Sequence, residues 1–368
     1  MLLWYGFDDK NKVLKNKFRN GVALSLIPQI LLVSWLGGNP EVVETYYSNG
    51  IYPVISQFFR IIFGWIPFSV GEILYVLLGV FGIRYTYVNR LKIKKFPIEF
   101  FRNIAVVLAV FYFTFNLVWG LNYYRKPIAE NFAIKDSVQI SEVIDLAERL
   151  ILKTNELQFQ LAKDSAKRVQ VPYSHKEMFH KTLEGYEQLK EELPFLGYTH
   201  SSLKSSMFSS LASYMGIGGY LNPFTNEAQV NALTPEFRFP VVSGHEVGHQ
   251  VGYAKENETN FIGYLVTVKN KDRYFQYSAL AYGLSHCLSA IRRADKDKFD
   301  ELYAKVNTGV QENYKELYEH NMEYLNPFEP IFKSAFNTFL KANQQKDGIK
   351  SYSKIVELMV GYHQKYPL

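Results

Sequence analysis

The chain has 368 residues, a formal net charge of +6 and a single cysteine. The length admits one large or two ordinary domains, and Cys287 standing alone excludes both an intramolecular disulfide framework and a cysteine-held metal cluster. Aromatic residues make up 16% of the chain and much of the apolar content lies before residue 121, which is not the composition of an ordinary soluble enzyme.

In chain order, the runs Gly21 to Trp35, Val70 to Tyr87 and Ile104 to Trp119 are each close to the ~17–25 apolar residues that cross a bilayer. Spans are therefore expected over about 21–37, 70–88 and 101–120. A fourth apolar patch, 51–67, is broken by Pro53, Arg60, Gly64 and Pro67, and Gln57 and Arg60 would be costly in hydrocarbon, so an interfacial segment is expected there. Lys10, Lys12, Lys15, Lys17 and Arg19 precede the first span, and Arg90, Lys92, Lys94 and Lys95 fill the 89–99 connection, read as a loop. By the positive-inside rule both are cytoplasmic, and everything after Tyr123 lies outside the cytoplasmic membrane. The basic balance is thus a topology signal toward the lipid bilayer and calls for no nucleic-acid partner.

Trp119-Gly-Leu-Asn-Tyr-Tyr-Arg125 reads as an aromatic collar at the boundary. A membrane region over 1–123 and an outer domain over 124–368 follow. Ser137 or Ser141 is expected to cap a helix running from Glu142 to about Ala162, and a second helix covers Lys176 to Glu192. His175, His180 and His200 are scattered and expected to be exposed. In Gly216 to Asn231, glycines and Pro223 punctuate a stretch where Glu227, Gln229 and Asn231 alternate with Ala228 and Val230, the pattern of a strand or hairpin. Edge strands of this kind bind extended peptides by backbone pairing, which makes Tyr220, Asn222, Glu227 and Asn231 candidate substrate contacts.

Next comes Ser243-Gly-His-Glu-Val-Gly-His-Gln-Val-Gly252. On a helix His245 and His249 share one face and can grip one metal ion, with Glu246 beside them as general base. A catalytic Zn2+ needs a third protein ligand and an open position. A His-x-x-Gly-x-x-His continuation would place that ligand at Lys255, whose protonated amine cannot serve. Glu256 follows, with Asn260 one helical turn on. Glu258 is the rival ligand, about 200° around the helix from Glu256. Tyr253, Tyr277, Tyr282 and His286 are all possible donors to a tetrahedral oxyanion. Cys287 sits in an apolar helical stretch and reads as core packing. Further helices complete a mostly α fold: a three-helix membrane region, then an α-rich domain with a small β-hairpin or edge strand beside the motif helix.

Two helices, the first carrying both histidines and the second a Glu followed four residues later by Asn, resemble the gluzincin type of zinc metallopeptidase. That resemblance implies Zn2+ held by His245, His249 and Glu256, with Asn260 orienting a histidine. Over nearly its whole length the chain also resembles the bacterial membrane family catalogued as domain of unknown function 3810. The marks are Pro67-Phe-Ser-Val-Gly-Glu72, Trp119 to Arg125, Gly219-Tyr-Leu-Asn-Pro-Phe-Thr-Asn-Glu-Ala228, His245 to Gly252, Glu256-Asn-Glu-Thr-Asn260 and Asp347-Gly-Ile-Lys-Ser-Tyr352. The function expected is a membrane-anchored zinc peptidase acting on a peptide or protein. A zinc amidase acting on a non-peptide bond, or a sensor that binds peptide without cutting it, are the alternatives.

Overall fold

The structure, a computed structural model, describes residues 15–134, 138–343 and 354–368. The first two lysines of the N-terminal cluster, the Ser137 cap and the Asp347 to Tyr352 mark lie outside the described residues. Three described helices are long and apolar enough to cross a membrane: α1 Lys15–Gly37, then, beyond α2 Tyr52–Phe63, α3 Val70–Lys95 and α4 Pro97–Val118. They mark the protein as membrane-associated. Their large apolar side chains, Leu31, Phe81 and Val107 among them, point outward, as lipid-facing surfaces do.

Two polar side chains of α1 bond within the helix: Gln29 donates to Ser25 Oγ at 3.0 Å and Ser25 to the Val22 carbonyl at 2.7 Å. The connection expected as a loop over 89–99 is instead mostly helix. α3 continues through Arg90, Lys92, Lys94 and Lys95, only Phe96 interrupts, and Pro97 opens α4. Long basic side chains are good helix formers that reach outward to water while their stems stay in the apolar layer, so the charges end a span without ending its helix. Within the 51–67 patch α2 turns Tyr52, Ser56 and Arg60 inward and leaves Val54, Phe58 and Ile61 exposed. A π-helical stretch, Val43–Ile51, leads into α2, and Arg60 is buried with its guanidinium 4.5 Å from the Tyr198 ring.

Outside these helices, α5 Ile140–Ala162 starts at Gln139, which forms a capping box with Glu142, so Ser141 lies inside the helix rather than capping it. α6 His175–Glu192 follows. β1 Leu203–Ser205, β2 Gly219–Asn222 and β3 Glu227–Val230 make a sheet of order β1-β3-β2, with β1 parallel and β2 antiparallel to β3. The hairpin matches the sequence reading; β1 adds a strand to it. Every residue of β3 is buried, its polar ones included. The polar face of this strand meets α3: the Glu227 carboxylate accepts from Val70 N at 3.0 Å and Gly71 N at 2.6 Å and pairs with Lys204. An anion at a helix N-terminus satisfies its free N–H groups and its dipole together.

The longer helices that follow the sheet are α7 Phe239–Gln250, α8 Glu256–Val268, α9 Arg273–Ala294, α10 Lys296–Tyr303, α11 Thr308–Glu323, α12 Glu329–Ala342 and α13 Ile355–Lys365. α8 and α9 form the centre of a core that includes Leu146, Leu150, Phe261, Tyr264, Leu284 and Met359. Cys287 is a free, buried thiol within it. Of the scattered histidines, His180 and His200 are exposed, whereas His175 is half-buried and stacks at 4.4 Å on Phe239, at the start of α7.

Candidate metal centre

α7 and α8 approach so closely that each needs a glycine. A Cβ on Gly244 would meet Val266 Cγ1 at 2.6 Å, and one on Gly263 would meet His245 N at 2.9 Å. Between them Gly252 turns the chain at φ +99°. The tight crossing brings the first turn of α8 against the histidine face of α7.

There the groups picked out in the sequence come together. His245 Nε2 and His249 Nε2 lie 3.1 Å apart. Glu256 reaches both, with Oε2 3.3 Å from His245 Nε2 and Oε1 3.8 Å from His249 Nε2. Behind them, His249 Nδ1 donates to the Tyr253 carbonyl at 2.8 Å, and His245 Nδ1 meets Asn260 Oδ1 at 2.9 Å. Since a carbonyl only accepts, the His249 proton is on Nδ1 and the Nε2 lone pair faces inward; Asn260 Oδ1 sets the same tautomer on His245.

Three acceptors therefore converge on one point and need a cation between them. A proton on His245 Nε2 is one; a metal ion is the other. Four-coordinate zinc with ligands at about 2.0–2.1 Å spaces its donor atoms about 3.3 Å apart, so the observed edges fit that ion. His245, Glu246 and His249 also present ligand atoms within 4.8 Å of one another. Glu256 is nonetheless the better placed of the two carboxylates for a third ligand. It bridges both imidazoles, whereas Glu246 Oε1 is 4.0 Å from His245 Nε2, and Glu246 Oε2 is buried without a hydrogen-bond partner among the described residues. Glu258 is ruled out by direction: it accepts from Ile128 N at 3.1 Å and lies near Lys255 and Arg125.

Electrostatics follow from burial. It pushes the Glu246 carboxyl up to about 8, helped by Glu256 and opposed by His245. It lowers His249 to about 4, with His245 adding to the effect. Burial also lowers His245, but Glu256, Glu246 and Asn260 outweigh it and leave the imidazole above its ordinary value.

The oxyanion candidates separate. Tyr277 donates to Asn313 at 2.7 Å, away from the site, and the Tyr253 ring lies under Arg125, its hydroxyl held by Asn131. His286 meets the Tyr282 ring edge-on at 4.5 Å, and burial with Arg238 and Arg293 lowers it to about 3. Of the four, Tyr282 is the one whose phenol feels the Glu256 charge. Burial pushes its phenol up to about 12, Arg238 opposes this from 3.8 Å over the ring, and the Glu256 charge adds to it. Tyr123 likewise feels burial and the Glu256 charge. Arg238 and Tyr123 carry no sequence signal for this role, because packing alone brings them to the site.

The hairpin residues divide differently from their sequence reading. Glu227 and Asn222 are buried, Glu227 in the α3 clamp and Asn222 accepting from Phe224 N and Thr225 N; Asn231 donates to Ser213 and the Ile217 carbonyl. Tyr220 donates to Glu72, which also accepts from Met207 N at 2.9 Å. Glu227 and Tyr220 hold the hairpin to α3, Asn222 closes its turn and Asn231 ties its end to the segment before it, so what the strand offers the site is its backbone.

The collar has a structural task in the centre. Trp119 Nε1 donates to the His249 carbonyl at 3.4 Å, Tyr52 and Ser56 donate to the Gln250 carbonyl at 3.0 Å each, and Arg125, paired with Glu44, donates to Gly252 O at 2.9 Å. They satisfy the carbonyls that the end of α7 leaves free, so the site sits directly on the membrane-proximal elements.

No curated protein and no solved structure matches this chain. The family model described as "Protein of unknown function (DUF3810)" matches residues 47–360, a stretch that takes in α2, the collar, the hairpin, α7 and α8, and the chain belongs to that family.

Proposed function

We propose that this protein is a membrane-anchored zinc-dependent metallopeptidase, with three spans, a cytoplasmic N-terminus and its active site on the outer face of the cytoplasmic membrane. The observation that carries the reading is the convergence of His245 Nε2, His249 Nε2 and the Glu256 carboxylate at zinc-like spacing, beside a buried carboxylate that is not needed as a ligand.

Zinc held there supplies Lewis acidity to a water and to the scissile carbonyl. The residues do the rest. Glu246 takes a proton from the attacking water as its oxygen bonds to the carbonyl carbon, and returns it to the nitrogen as the C–N bond breaks. Asn260 and the Tyr253 carbonyl hold the imidazoles in register. Tyr282, with Arg238 over its ring, donates toward the oxygen where negative charge builds. The spare carboxylate at Glu246 favours hydrolysis over peptide binding without cutting, since a binding module has no use for a general base.

Elemental analysis of the purified full chain tests this directly. About one zinc per chain is expected in wild type and near none in His249→Ala; equal, near-zero metal in both sinks the proposal. Glu246→Gln should keep its zinc and lose about 10²–10⁴ in hydrolysis of a casein-type substrate. Undiminished cleavage removes Glu246 from its role.

A further inference from the structure

The hairpin connects the candidate catalytic carboxylate to the lipid. At one end of β2, Gly219 lies against Glu246: a Cβ there would stand 2.5 Å from Glu246 Oε1. At the other end, just past Asn222, the Phe224 ring packs 5.2 Å from Phe111 of α4. Phe111 is 54% exposed on a membrane-crossing helix, seven residues before its end at Val118, or about 10 Å down its axis at 1.5 Å per residue. The hairpin tip therefore reaches below the end of the span. Leu221 and Phe224 continue this apolar surface onto the cluster around Trp119 and Tyr123.

β2 is an edge strand, paired on one side only. Asn231 N donates to Gly218 O at 2.8 Å, which makes 218/231 a bonded pair. By antiparallel alternation Tyr220 and Asn222 then face β3, and Gly219 and Leu221 direct their N–H and C=O groups to the open edge. A peptide adding to that edge would run between Glu246 and the membrane.

Resting on the peptidase reading above, we infer that the substrate is itself membrane-anchored, and that its extended juxtamembrane segment pairs with the open edge of β2. Gly219 to Phe224 spans at most about 17 Å of extended chain at 3.3 Å per residue. At its far end Phe224 meets α4 about two turns before that helix ends. The scissile bond is thus within about six residues of the substrate's own membrane span. A soluble protein has no segment that can follow the strand past the lipid boundary, whereas an anchored one is held there by its own span and pays less entropy to dock.

The test compares new protein termini in membranes of cells carrying the full-length wild type or Glu246→Gln. Expected are Glu246-dependent termini within about six residues of a membrane span, on the side that holds the site. Phe224→Ser, which unseats the hairpin tip while leaving His245, His249 and Glu256 in place, should lower their yield at least tenfold with zinc content unchanged. Glu246-dependent termini in soluble proteins, or spread evenly along anchored ones, overturn the inference and leave hydrolysis standing. Unchanged yields in Phe224→Ser also overturn it. An absence of any Glu246-dependent terminus removes the peptidase reading and this inference together.

Discussion

Two imidazole nitrogens 3.1 Å apart, each with its proton on the far side, repel unless something positive lies between them. Asn260 enforces that arrangement on His245 and is a positioning residue, since it touches the imidazole and not the reacting atoms. Asn260→Ala is therefore expected to weaken zinc affinity about 10–100-fold, and Asn260→Asp to restore most of it. Competition with a fluorescent chelator measures both; equal affinity in all three proteins would mean that the hydrogen bond does not orient the ligand. His245, Glu246, His249, Glu256 and Asn260 were legible in the sequence because their geometry is local, a matter of one helical turn in α7 and another in α8. Tyr282 was not separable from Tyr277 in that way. The two are five residues apart on α9, about 140° around the axis, and only the packing of α9 against α7 and α8 decides which one feels the Glu256 charge. Arg238 and Tyr123 come from outside both motif helices, so no spacing could announce them.

Whole elements carried their signal where hydrophobic pattern and environment agreed. α1, α3 and α4 were visible as apolar runs, although their ends were not: basic residues marked the edge of the apolar layer while the helix continued. β3 was visible by its alternation, yet its polar side is buried because α3 covers it and Glu227 finds the helix N-terminus there. α13 shows the same kind of buried polar contact in a form that titrates. His363 accepts from the Tyr264 hydroxyl at 2.7 Å through Nε2 and donates from Nδ1 to the Tyr366 carbonyl at 2.9 Å, the pattern of a neutral ring. Burial, with Arg149 and Lys269 nearby, lowers it to about 4, although the Tyr366 carbonyl opposes the shift. The unfolded chain binds this proton near pH 6.5 and the folded one only near 4, so the stabilisation is complete above pH 6.5. It falls as the pH drops through that window, by at most about 3 kcal/mol. His363→Gln should flatten this part of the melting-temperature profile between pH 4 and 6.5. Parallel profiles for the two proteins would show that His363 is not the group responsible.

At the scale of the molecule, the boundary drawn from sequence at residue 123/124 cuts through a shared core. Val43, Tyr47, Tyr52, Val118, Trp119 and Tyr123 on one side pack with Ala254 on the other, and the donors that close the end of α7 come from Tyr52, Ser56 and Trp119. Each lost hydrogen bond costs about 1 kcal/mol, and a buried carbonyl left without a partner costs about 1–3 kcal/mol. Uncovering the apolar surface that Tyr52 and Trp119 shield adds to that, against a total stability of only about 5–15 kcal/mol for an ordinary domain. Residues 124–368 expressed without the membrane region are therefore expected to hold far less than one zinc per chain, the metal ligands being present but the end of α7 unsupported. Tyr52→Phe in the full chain removes only one donor, and should lower the melting temperature by a few degrees while keeping the metal. Zinc analysis and thermal unfolding of the three proteins decide the matter. A folded 124–368 fragment that binds zinc as tightly as the full chain would make α1 to α4 a simple anchor. The expected result makes them part of the frame that shapes the site, and explains why the collar is built of Trp119 and Arg125 aimed at α7 rather than of aromatic residues facing lipid alone.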